Sequence, residues 1–374
     1  MLKFEILKRE GLARVGVMHT PHGEIKTPAF VGAATRATVK ALTFSEMNAL
    51  GSQAVLANTY HLFLRPGGEL IRKGGGLAEF TSWHKPTFTD SGGFQIFSLP
   101  NVKITEEGAR FKSHIDGREF LMTPELSMQT QWEIGADIHM AFDQLAKSES
   151  YDDMEKAMEQ THRWLERCAA ENSRLRGEFS AKGLPEQYLY AVVQGGTFLD
   201  LRRKSAEFES GMDVDGFGIG GVFTADGMDE MLQVVCPILP EEKPRHLLGM
   251  GQEPRDLFIG AEFGCDTFDC VGPTRMARNG SLYTLDGRVN IKNARFREDF
   301  APLMEDCDCE LCRNYSRAYL HHLFKVDEIT AKVLASIHNE HFVVSAVDKI
   351  RESLLNGTFK EYKQEFLRRY YGNL

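Results

Sequence analysis

Three cysteines lie within six residues of the chain, at Cys307, Cys309 and Cys312. Thiols at this spacing can converge on one metal ion if the backbone turns tightly around it. Closed zinc sites take four tetrahedral sulphur or nitrogen ligands, so a fourth ligand must come from another part of the fold. Because close thiols without a metal are prone to oxidation, the stretch is predicted to hold one structural Zn²⁺ per chain.

His338 is the preferred candidate for the fourth ligand. It follows an apolar run, Val333, Leu334, Ala335 and Ile337, whose pattern indicates a helix that could direct an imidazole towards the thiols. Three other histidines remain alternatives at this stage: His321, His322 and His341.

Short apolar segments that end in polar or glycine residues recur along the chain and are predicted to be strands. The eight predicted strands span residues 27–32, 54–60, 87–90, 137–143, 190–194, 216–220, 246–249 and 266–270. Helices are predicted between many of them, including one capped by Thr123 with Pro124 at its first position and one over 152–171. This alternation favours an α/β fold, and the count of eight favours a (β/α)8 TIM barrel over the alternative, an open doubly wound sheet.

The rest of the chain is expected to surround this barrel. Residues 1–26 are predicted to be an N-terminal β region, 27–295 the catalytic barrel, 296–340 a zinc-binding subdomain, and 341–374 a C-terminal helix and tail. Barrels of this kind commonly run to about 250 residues or more as one unit. A length of 374 residues therefore fits one large domain with an appendage.

Composition narrows the class of protein. No apolar run approaches the roughly 20 residues needed to cross a membrane, and the N-terminus lacks the apolar segment of a signal peptide. The cysteines outside the metal motif are scattered, which fits a reducing compartment. A cytoplasmic protein without membrane contact is expected.

Charge is unevenly distributed. The net charge of −9 argues against non-specific binding of nucleic acid. Residues 275–297 nevertheless carry six Lys or Arg residues against a single acid, Asp286. Such a patch suits the selective binding of one phosphate backbone, with an ordinary solvated surface as the alternative.

Polar or glycine residues stand at the ends of the predicted strands. In a barrel of this type the active site lies at those strand ends. They are Asn58, Asp90, Asp143, Gln194, Gly220 and Asp269. Three carboxylates that converge on one cavity raise one another's proton affinity, and such groups commonly divide into a nucleophile and an acid or base.

Five motifs together resemble the queuine or bacterial-type tRNA-guanine transglycosylases. They are Thr89-Asp90-Ser91-Gly92-Gly93-Phe94-Gln95, Val193-Gln194-Gly195, Ile219-Gly220-Gly221, Phe268-Asp269-Cys270-Val271-Gly272-Pro273-Thr274-Arg275 and Cys307-Asp308-Cys309-Glu310-Leu311-Cys312. The resemblance extends from Pro28 to about His338. It implies a pentosyltransferase that exchanges the wobble guanine of GUN anticodons, in the tRNAs for aspartate, asparagine, histidine and tyrosine, for a free 7-deazaguanine base. It also implies a barrel with a zinc-bearing insert.

The resemblance assigns a role to each candidate residue. Asp269 is expected to be the nucleophile that forms a covalent ribosyl-enzyme, Asp90 the general acid and base, and Asn58 the residue that positions Asp90. The residues expected to bind the base, with the ring of Phe94 stacking on it, are Ser91, Phe94, Asp143, Gln194, Gly220 and Gly221. Arg275 and Arg278 are expected to contact the RNA near the anticodon loop.

Two stretches depart from the pattern of relatives that use the aminomethyl precursor preQ1. Residues 144–147 read Gln-Leu-Ala-Lys where Glu-Cys and a proline are usual, and residues 222–226 read Val-Phe-Thr-Ala-Asp where Leu-Ala-Val-Gly-Glu is usual. Both lie where the substituent of the deazaguanine ring would project. Free queuine is therefore slightly favoured over preQ1.

Two other functions fit the sequence less well. A non-catalytic tRNA-binding accessory subunit is disfavoured because both Asp90 and Asp269 are present. A metal-dependent hydrolase would need histidines at the strand ends, whereas His139 and His246 lie within predicted strands. Because a tRNA is large compared with this acidic chain, a homodimer that binds one tRNA is expected, with the aromatic residues of 315–324 at its contact.

Overall fold

The computed structural model describes residues 1–221 and 227–372. The departure from the family pattern at 222–226 lies outside the described residues.

The strands alternate with helices through most of the described chain. The strands are β1 (Lys3–Glu10), β2 (Ala13–Thr20), β3 (Gly23–Thr27), β4 (Ala29–Ala33), β5 (Ala54–Asn58), β6 (Thr87–Asp90), β7 (Lys103–Ile104), β8 (Ala109–Lys112), β9 (Glu119–Met122), β10 (Ile138–Met140), β11 (Tyr188–Val193), β12 (Gly216–Ile219), β13 (Arg245–Leu247), β14 (Thr267–Cys270), β15 (Ser281–Thr284) and β16 (Gly287–Asn290). The helices are α1 (Phe44–Ala49), α2 (Thr59–Leu64), α3 (Gly68–Lys73), α4 (Leu77–Thr81), α5 (Gly93–Phe97), α6 (Pro124–Ile134), α7 (Tyr151–Ser180), α8 (Leu199–Ser210), α9 (Met228–Val235), α10 (Pro254–Glu262), α11 (Gly272–Arg278), α12 (Glu310–Asn314), α13 (Arg317–Lys325), α14 (Ile329–Asn356) and α15 (Phe359–Tyr371).

Eight parallel strands form a closed barrel in the order β4-β5-β6-β10-β11-β12-β13-β14. The last strand pairs with the first, with Asp269 of β14 opposite Val31 of β4. The barrel strands are short and buried along their length, as parallel strands covered by helices must be. The predicted (β/α)8 barrel is confirmed.

The strand and helix bounds differ from the predicted ones for local reasons. The second barrel strand ends at Asn58 because the Asn58 side chain accepts a hydrogen bond from the backbone of His61 and so caps α2. Thr123 caps α6 with Pro124 in its first turn, as predicted. The helix expected over 152–171 runs further, from Tyr151 to Ser180.

The N-terminal sheet β1-β2-β3 lies across the end of the barrel where the strands begin. Three aspartates, each directly before or near the start of a barrel strand, tie the sheet to it. Arg14 forms an ion pair with Asp266, the backbone N–H of Leu2 donates to Asp215, and the ring of His22 bonds Asp137. This sheet closes one end of the barrel, so a ligand must enter from the other end.

The C-terminal part packs on the outside of the barrel. Helix α14 contacts α11, α12 and the first barrel strand, β4, and it ends at Gly357 with a left-handed backbone, φ 74°. The division of the chain at residues 26, 295 and 340 stays a prediction. Among the helices of the described chain, none has the length and apolar character needed to cross a membrane.

Candidate active site and metal centre

The ends of the barrel strands open into a cavity of about 910 Å³. The cavity brings together nearly all of the predicted site residues. Its walls include Asn58, Asp90, Ser91, Phe94, Asp143, Gly220, Gly221, Asp269, Arg275 and Arg278. Gln194 lies just behind this wall and contacts it through Asp143.

Asp90 ends β6 and is surrounded by donors. Asn58 Nδ2 donates to its Oδ2 at 2.5 Å, and the backbone N–H groups of Thr59 and Gly92 donate to its Oδ1 at 3.0 and 3.1 Å. Burial is the largest influence on this carboxyl, and the neighbouring Asp269 adds to it. Together they raise the pKa of Asp90 to about 7 against the opposing effect of the donors.

Asp269 faces the same cavity from the end of β14 and has a different set of partners. Its Oδ1 accepts the backbone N–H of Gly249 at 2.8 Å and lies 3.2 Å from Nε2 of His246. Asp90 and Asp269 are thus held by separate sets of partners, which allows them to take different roles.

Asp143 is held between two polar side chains. Ser91 Oγ donates to Oδ1 at 2.9 Å and Gln194 Nε2 donates to Oδ2 at 2.6 Å, while burial raises the pKa of Asp143. Gly221, with φ 85°, completes this wall, and a Cβ there would lie 2.4 Å from Gln194 Oε1. Only glycine fits so close to the amide, so its backbone can face the cavity.

The mouth of the cavity is basic. Lys40, Arg275 and Arg278 line it, and Arg36 lies close enough to act on Lys40. Burial and then the positive charges of Arg278, Arg36 and Arg275 lower the pKa of Lys40. The ring of Phe94 stands beside this cluster and is 65% exposed, so one of its faces is available for stacking.

The three cysteines and His338 form the predicted metal centre. Their ligand atoms all lie within 4.8 Å of one another. The Sγ atoms of Cys307, Cys309 and Cys312 are 3.8, 3.5 and 3.4 Å from Nδ1 of His338. Tetrahedral bonds of about 2.3 Å to sulphur and about 2.0 Å to nitrogen would place these atoms about 3.5 Å apart. The four residues therefore fit a zinc ion.

A backbone carbonyl fixes the orientation of His338. Its Nε2 lies 2.8 Å from the carbonyl oxygen of Tyr283, so Nε2 carries the proton and Nδ1 presents its lone pair to the thiols. The alternative His341 instead contacts Asp308 at 2.9 Å, and His321 bonds the carbonyl of Ile291. His338 is confirmed as the histidine of this group.

Comparison with known proteins agrees with this architecture. The family model described as queuine tRNA-ribosyltransferase matches residues 9–372. The chain belongs to this family. A queuine tRNA-ribosyltransferase from Caldanaerobacter subterraneus subsp. tengcongensis is 45% identical over 379 residues, covering 100% of this chain and 98% of the relative. Another from Symbiobacterium thermophilum is 46% identical over 377 residues, covering 99% and 92%. A third, from Thermoanaerobacter pseudethanolicus, is 44% identical over 376 residues, covering 99% and 98%.

Membership of the queuine tRNA-ribosyltransferase family makes the chain a pentosyltransferase. The alternative of a non-catalytic accessory subunit is thereby set aside. A covalent route of pentosyl transfer uses a group that can attack a sugar carbon and a group that can exchange a proton with the base. The separately held carboxylates of Asp90 and Asp269 are suited to these two tasks.

Two residues that support the walls of the cavity, Arg202 and Ser205, were not predicted from the sequence. The buried guanidinium of Arg202 donates to the carbonyls of Val193 and Gly220 at 2.8 and 2.7 Å, and so joins the ends of β11 and β12. Ser205 Oγ accepts the backbone N–H of Gln194 at 3.0 Å. Both residues lie on α8, and the sequence carries no motif that would connect this helix with the wall formed by Asp143, Gln194 and Gly221.

Proposed function

We propose that this chain exchanges the guanine at the wobble position of GUN anticodons for a free 7-deazaguanine, in the queuosine modification of the tRNAs for aspartate, asparagine, histidine and tyrosine. The observation that carries this proposal is the pair Asp90 and Asp269, which face one cavity with different partners. The family to which the chain belongs supports a tRNA and a base as substrates.

In the first half of the reaction, the carboxylate of Asp269 attacks C1′ of the ribose. A carboxylate oxygen to C1′ bond forms while the C1′ to N9 bond breaks, and the bonding electron pair leaves with guanine. The leaving base then takes up a proton from Asp90. The pKa of about 7 supports this role, because both forms of Asp90 are populated near neutral pH.

In the second half, the covalent ribosyl-enzyme is resolved by the incoming base. Asp90, now ionised, accepts the proton from N9 of the 7-deazaguanine while that nitrogen attacks C1′, and the bond to Asp269 breaks. Two displacements at the same carbon preserve its configuration, as in retaining glycosidases. Both carboxyl groups return to their starting protonation states.

The wall formed by Asp143, Gln194 and Gly221 supports recognition of the base. A carboxylate accepts hydrogen bonds, a backbone N–H donates them, and an amide side chain can donate and accept. Together these groups suit the edge of a guanine-like ring, which carries both donors and acceptors. Ser91 and Gly220 complete the wall, and the exposed ring of Phe94 is available to stack on the base.

Queuine is proposed as the incoming base, slightly ahead of preQ1. Residues 144–147 lack the glutamate and cysteine usual in relatives that use preQ1. Leu145, Leu248 and Met250 add apolar surface to the large cavity, against which a cyclopentenediol ring could pack.

The basic mouth of the cavity supports binding of the anticodon loop. Arg275 and Arg278 lie on α11, the helix that follows Asp269 in the chain. Lys40 lines the same cavity and is close enough to them for their positive charges to act on it. Like charges at such close quarters repel one another unless an anion lies between them, so the cluster suits a phosphate of the RNA backbone. Extrusion of the wobble base into the cavity would bring its ribose to Asp269.

The metal is proposed to be zinc with a structural role. Three thiolates and one imidazole are a ligand set typical of closed zinc sites, and four protein ligands leave no position for a catalytic water.

A homodimer is proposed as well. Tyr315 and Tyr319 stack with their ring centroids 5.4 Å apart, and Tyr319 is 42% exposed, which suits an aromatic contact between subunits. A cytoplasmic location is proposed because tRNA is the substrate.

Replacement of the nucleophile tests the proposal directly. Asp269→Asn should abolish exchange of labelled guanine into tRNA, and it should abolish the protein–RNA adduct on a denaturing gel, because an amide is a far weaker nucleophile than a carboxylate. The control Asp213→Asn, at an exposed acid, should retain both. Wild-type exchange by a folded Asp269→Asn protein would overturn the assignment.

A further inference from the structure

We propose that His246 is a positioning residue for Asp269, which holds Oδ1 of the carboxylate so that Oδ2 is the atom that attacks the ribose. The inference rests on the proposed role of Asp269 as the nucleophile. His246 is fully buried in β13 and does not line the cavity, so it acts through Asp269 and not on the substrate.

The register of two neighbouring strands places His246 beside the carboxylate. His246 pairs with Thr267 of β14, and Asp269 lies two residues further along the same face of that strand. Nε2 of His246 is 3.2 Å from Oδ1 of Asp269, and Nδ1 is 2.8 Å from Oγ1 of Thr267. The ring packs against Phe88 with a centroid distance of 5.3 Å, which limits its rotation.

The chemistry of the partners assigns the proton on the ring. An ionised carboxylate can only accept hydrogen bonds, so Nε2 of a neutral His246 carries the proton and donates to Asp269. Nδ1 then accepts from the hydroxyl group of Thr267. The hydroxyl group of Thr267, which can donate or accept, adapts to this tautomer, and its hydrogen bond holds the ring in place beside Asp269.

The two carboxylate oxygens of Asp269 are unequal as a result. Oδ1 accepts from His246 and from the backbone N–H of Gly249, whereas in the part of the chain that the structure describes no hydrogen bond reaches Oδ2. Oδ2 keeps its lone pairs for the attack. The new bond then joins Oδ2 to C1′ as the C1′ to N9 bond breaks and guanine leaves with the electron pair.

Two donors to one oxygen also stabilise the ionised form of Asp269, which is the form that attacks. Other ionisable groups act on this carboxylate as well. Asp90 is close enough to interact with it electrostatically, and Cys270 follows it in the chain. The further ionisable groups that line the cavity are Lys40, Tyr60, His61, His114, Asp143, Arg275 and Arg278.

Substitution of His246 tests the inference through the pH profile of kcat/KM for tRNA. The acid limb of this profile reports the ionisation of the nucleophile in the free enzyme. His246→Phe keeps a ring against Phe88 and removes the donor, so the acid limb should move up by about one pH unit and kcat should fall about tenfold. His246→Gln keeps an N–H donor, and it should restore most of both losses.

Two further variants separate positioning from folding. His139→Phe replaces another fully buried strand histidine, whose Nε2 bonds Asn172, and should leave the acid limb in place. Thr267→Val removes the hydrogen bond to Nδ1 that holds the ring of His246, and it should shift the acid limb upward by a smaller amount. This variant provides the test if His246→Phe does not fold.

An unchanged acid limb in His246→Phe, or in Thr267→Val where the former does not fold, would overturn the inference. Equal losses in His246→Gln and His246→Phe would also overturn it. Either result leaves the proposed function standing as long as Asp269→Asn is inactive. Activity of Asp269→Asn would instead remove the proposed function itself.

Discussion

At the scale of single residues, Asp90 and Asp269 show how one cavity can hold two carboxyl groups with separate tasks. Asp90 lies where burial and the nearby negative charge of Asp269 favour its protonated form. Among the described residues, the hydrogen-bond donors to Asp269 reach one oxygen, Oδ1, and leave the other without a protein donor. The difference arises from the neighbours of each residue, since the two side chains are chemically identical.

The raised pKa of Asp90 predicts a pH dependence of adduct formation. The release of guanine needs the protonated form, and the protonated fraction falls as pH rises through the pKa of about 7. The single-turnover rate of adduct formation should therefore decline above about pH 7, by about tenfold per pH unit. Asp90→Asn should be about 10²-fold slower and should show no such decline.

Rapid quenching of enzyme mixed with tRNA, between about pH 5.5 and about pH 9, would measure this rate. The exposed-acid variant Asp213→Asn should follow the wild-type curve. A wild-type rate that stays constant across the range would show that Asp90 does not supply the proton.

Much of this site could be predicted from the sequence because parallel strand ends meet at one rim. Asp90, Asp143 and Asp269 each follow a short apolar segment, and that pattern alone brings them to one cavity. His246 could not be recognised in this way. Its contact with Asp269 depends on the register between β13 and β14, which a single sequence does not encode in any local pattern.

At the scale of elements, helix α14 connects the metal centre with the barrel. It carries His338 to the thiols and packs against α11, the helix that begins just after Asp269. The bond from His338 to the carbonyl of Tyr283 joins the same helix to β15. Loss of the metal should therefore loosen the support of the basic helix α11 as well as the cysteine loop.

The metal centre allows a matched pair of substitutions on one helix. His338→Ala should lower the zinc content measured by elemental analysis from about one ion per chain, and it should lower the melting temperature, because the ligand is lost. His341→Ala, three residues away, should leave the zinc content unchanged, since His341 pairs with Asp308 and is not one of the four residues whose ligand atoms converge. Zinc loss in the second variant but not the first would reassign the ligand.

Some elements followed from the sequence and others did not. Barrel strands such as β4 and β5 are buried throughout, so their apolar runs predicted them. The small sheet β7-β8-β9 was not predicted. Its strands are only two to four residues long, and even the alternation of charged and apolar residues in Ala109–Lys112 is too short to be a strong signal.

At the scale of the whole molecule, the acidic chain presents a basic cluster, Lys40, Arg275 and Arg278, at the mouth of the cavity. Its net charge of −9 opposes broad contact with a tRNA, so one subunit offers a small binding surface. A second subunit would extend that surface if the aromatic pair Tyr315 and Tyr319 forms the contact.

Light scattering would test the homodimer. The wild-type protein at micromolar concentration should have twice the mass of one chain, and Tyr319→Glu should shift it towards the monomer with a loss of tRNA turnover, because a charge in an apolar contact is costly to bury. Leu184→Glu, at a comparably exposed apolar residue, should remain a dimer. A wild-type monomer with normal turnover would remove the dimer from the mechanism.

The closure of the barrel has a consequence for how the protein is made. The second strand that pairs with β4 is β14, which is synthesised much later. The N-terminal sheet likewise bonds Asp215 and Asp266, which lie in the later half of the chain. At about 5–20 residues per second, a ribosome needs on the order of tens of seconds to deliver those partners. During that interval one edge of β4 has no partner strand in the nascent chain. A chain that leaves the ribosome before β14 is complete cannot close its barrel. The first strand of the barrel to be synthesised therefore depends on the last strand of the barrel for its second partner.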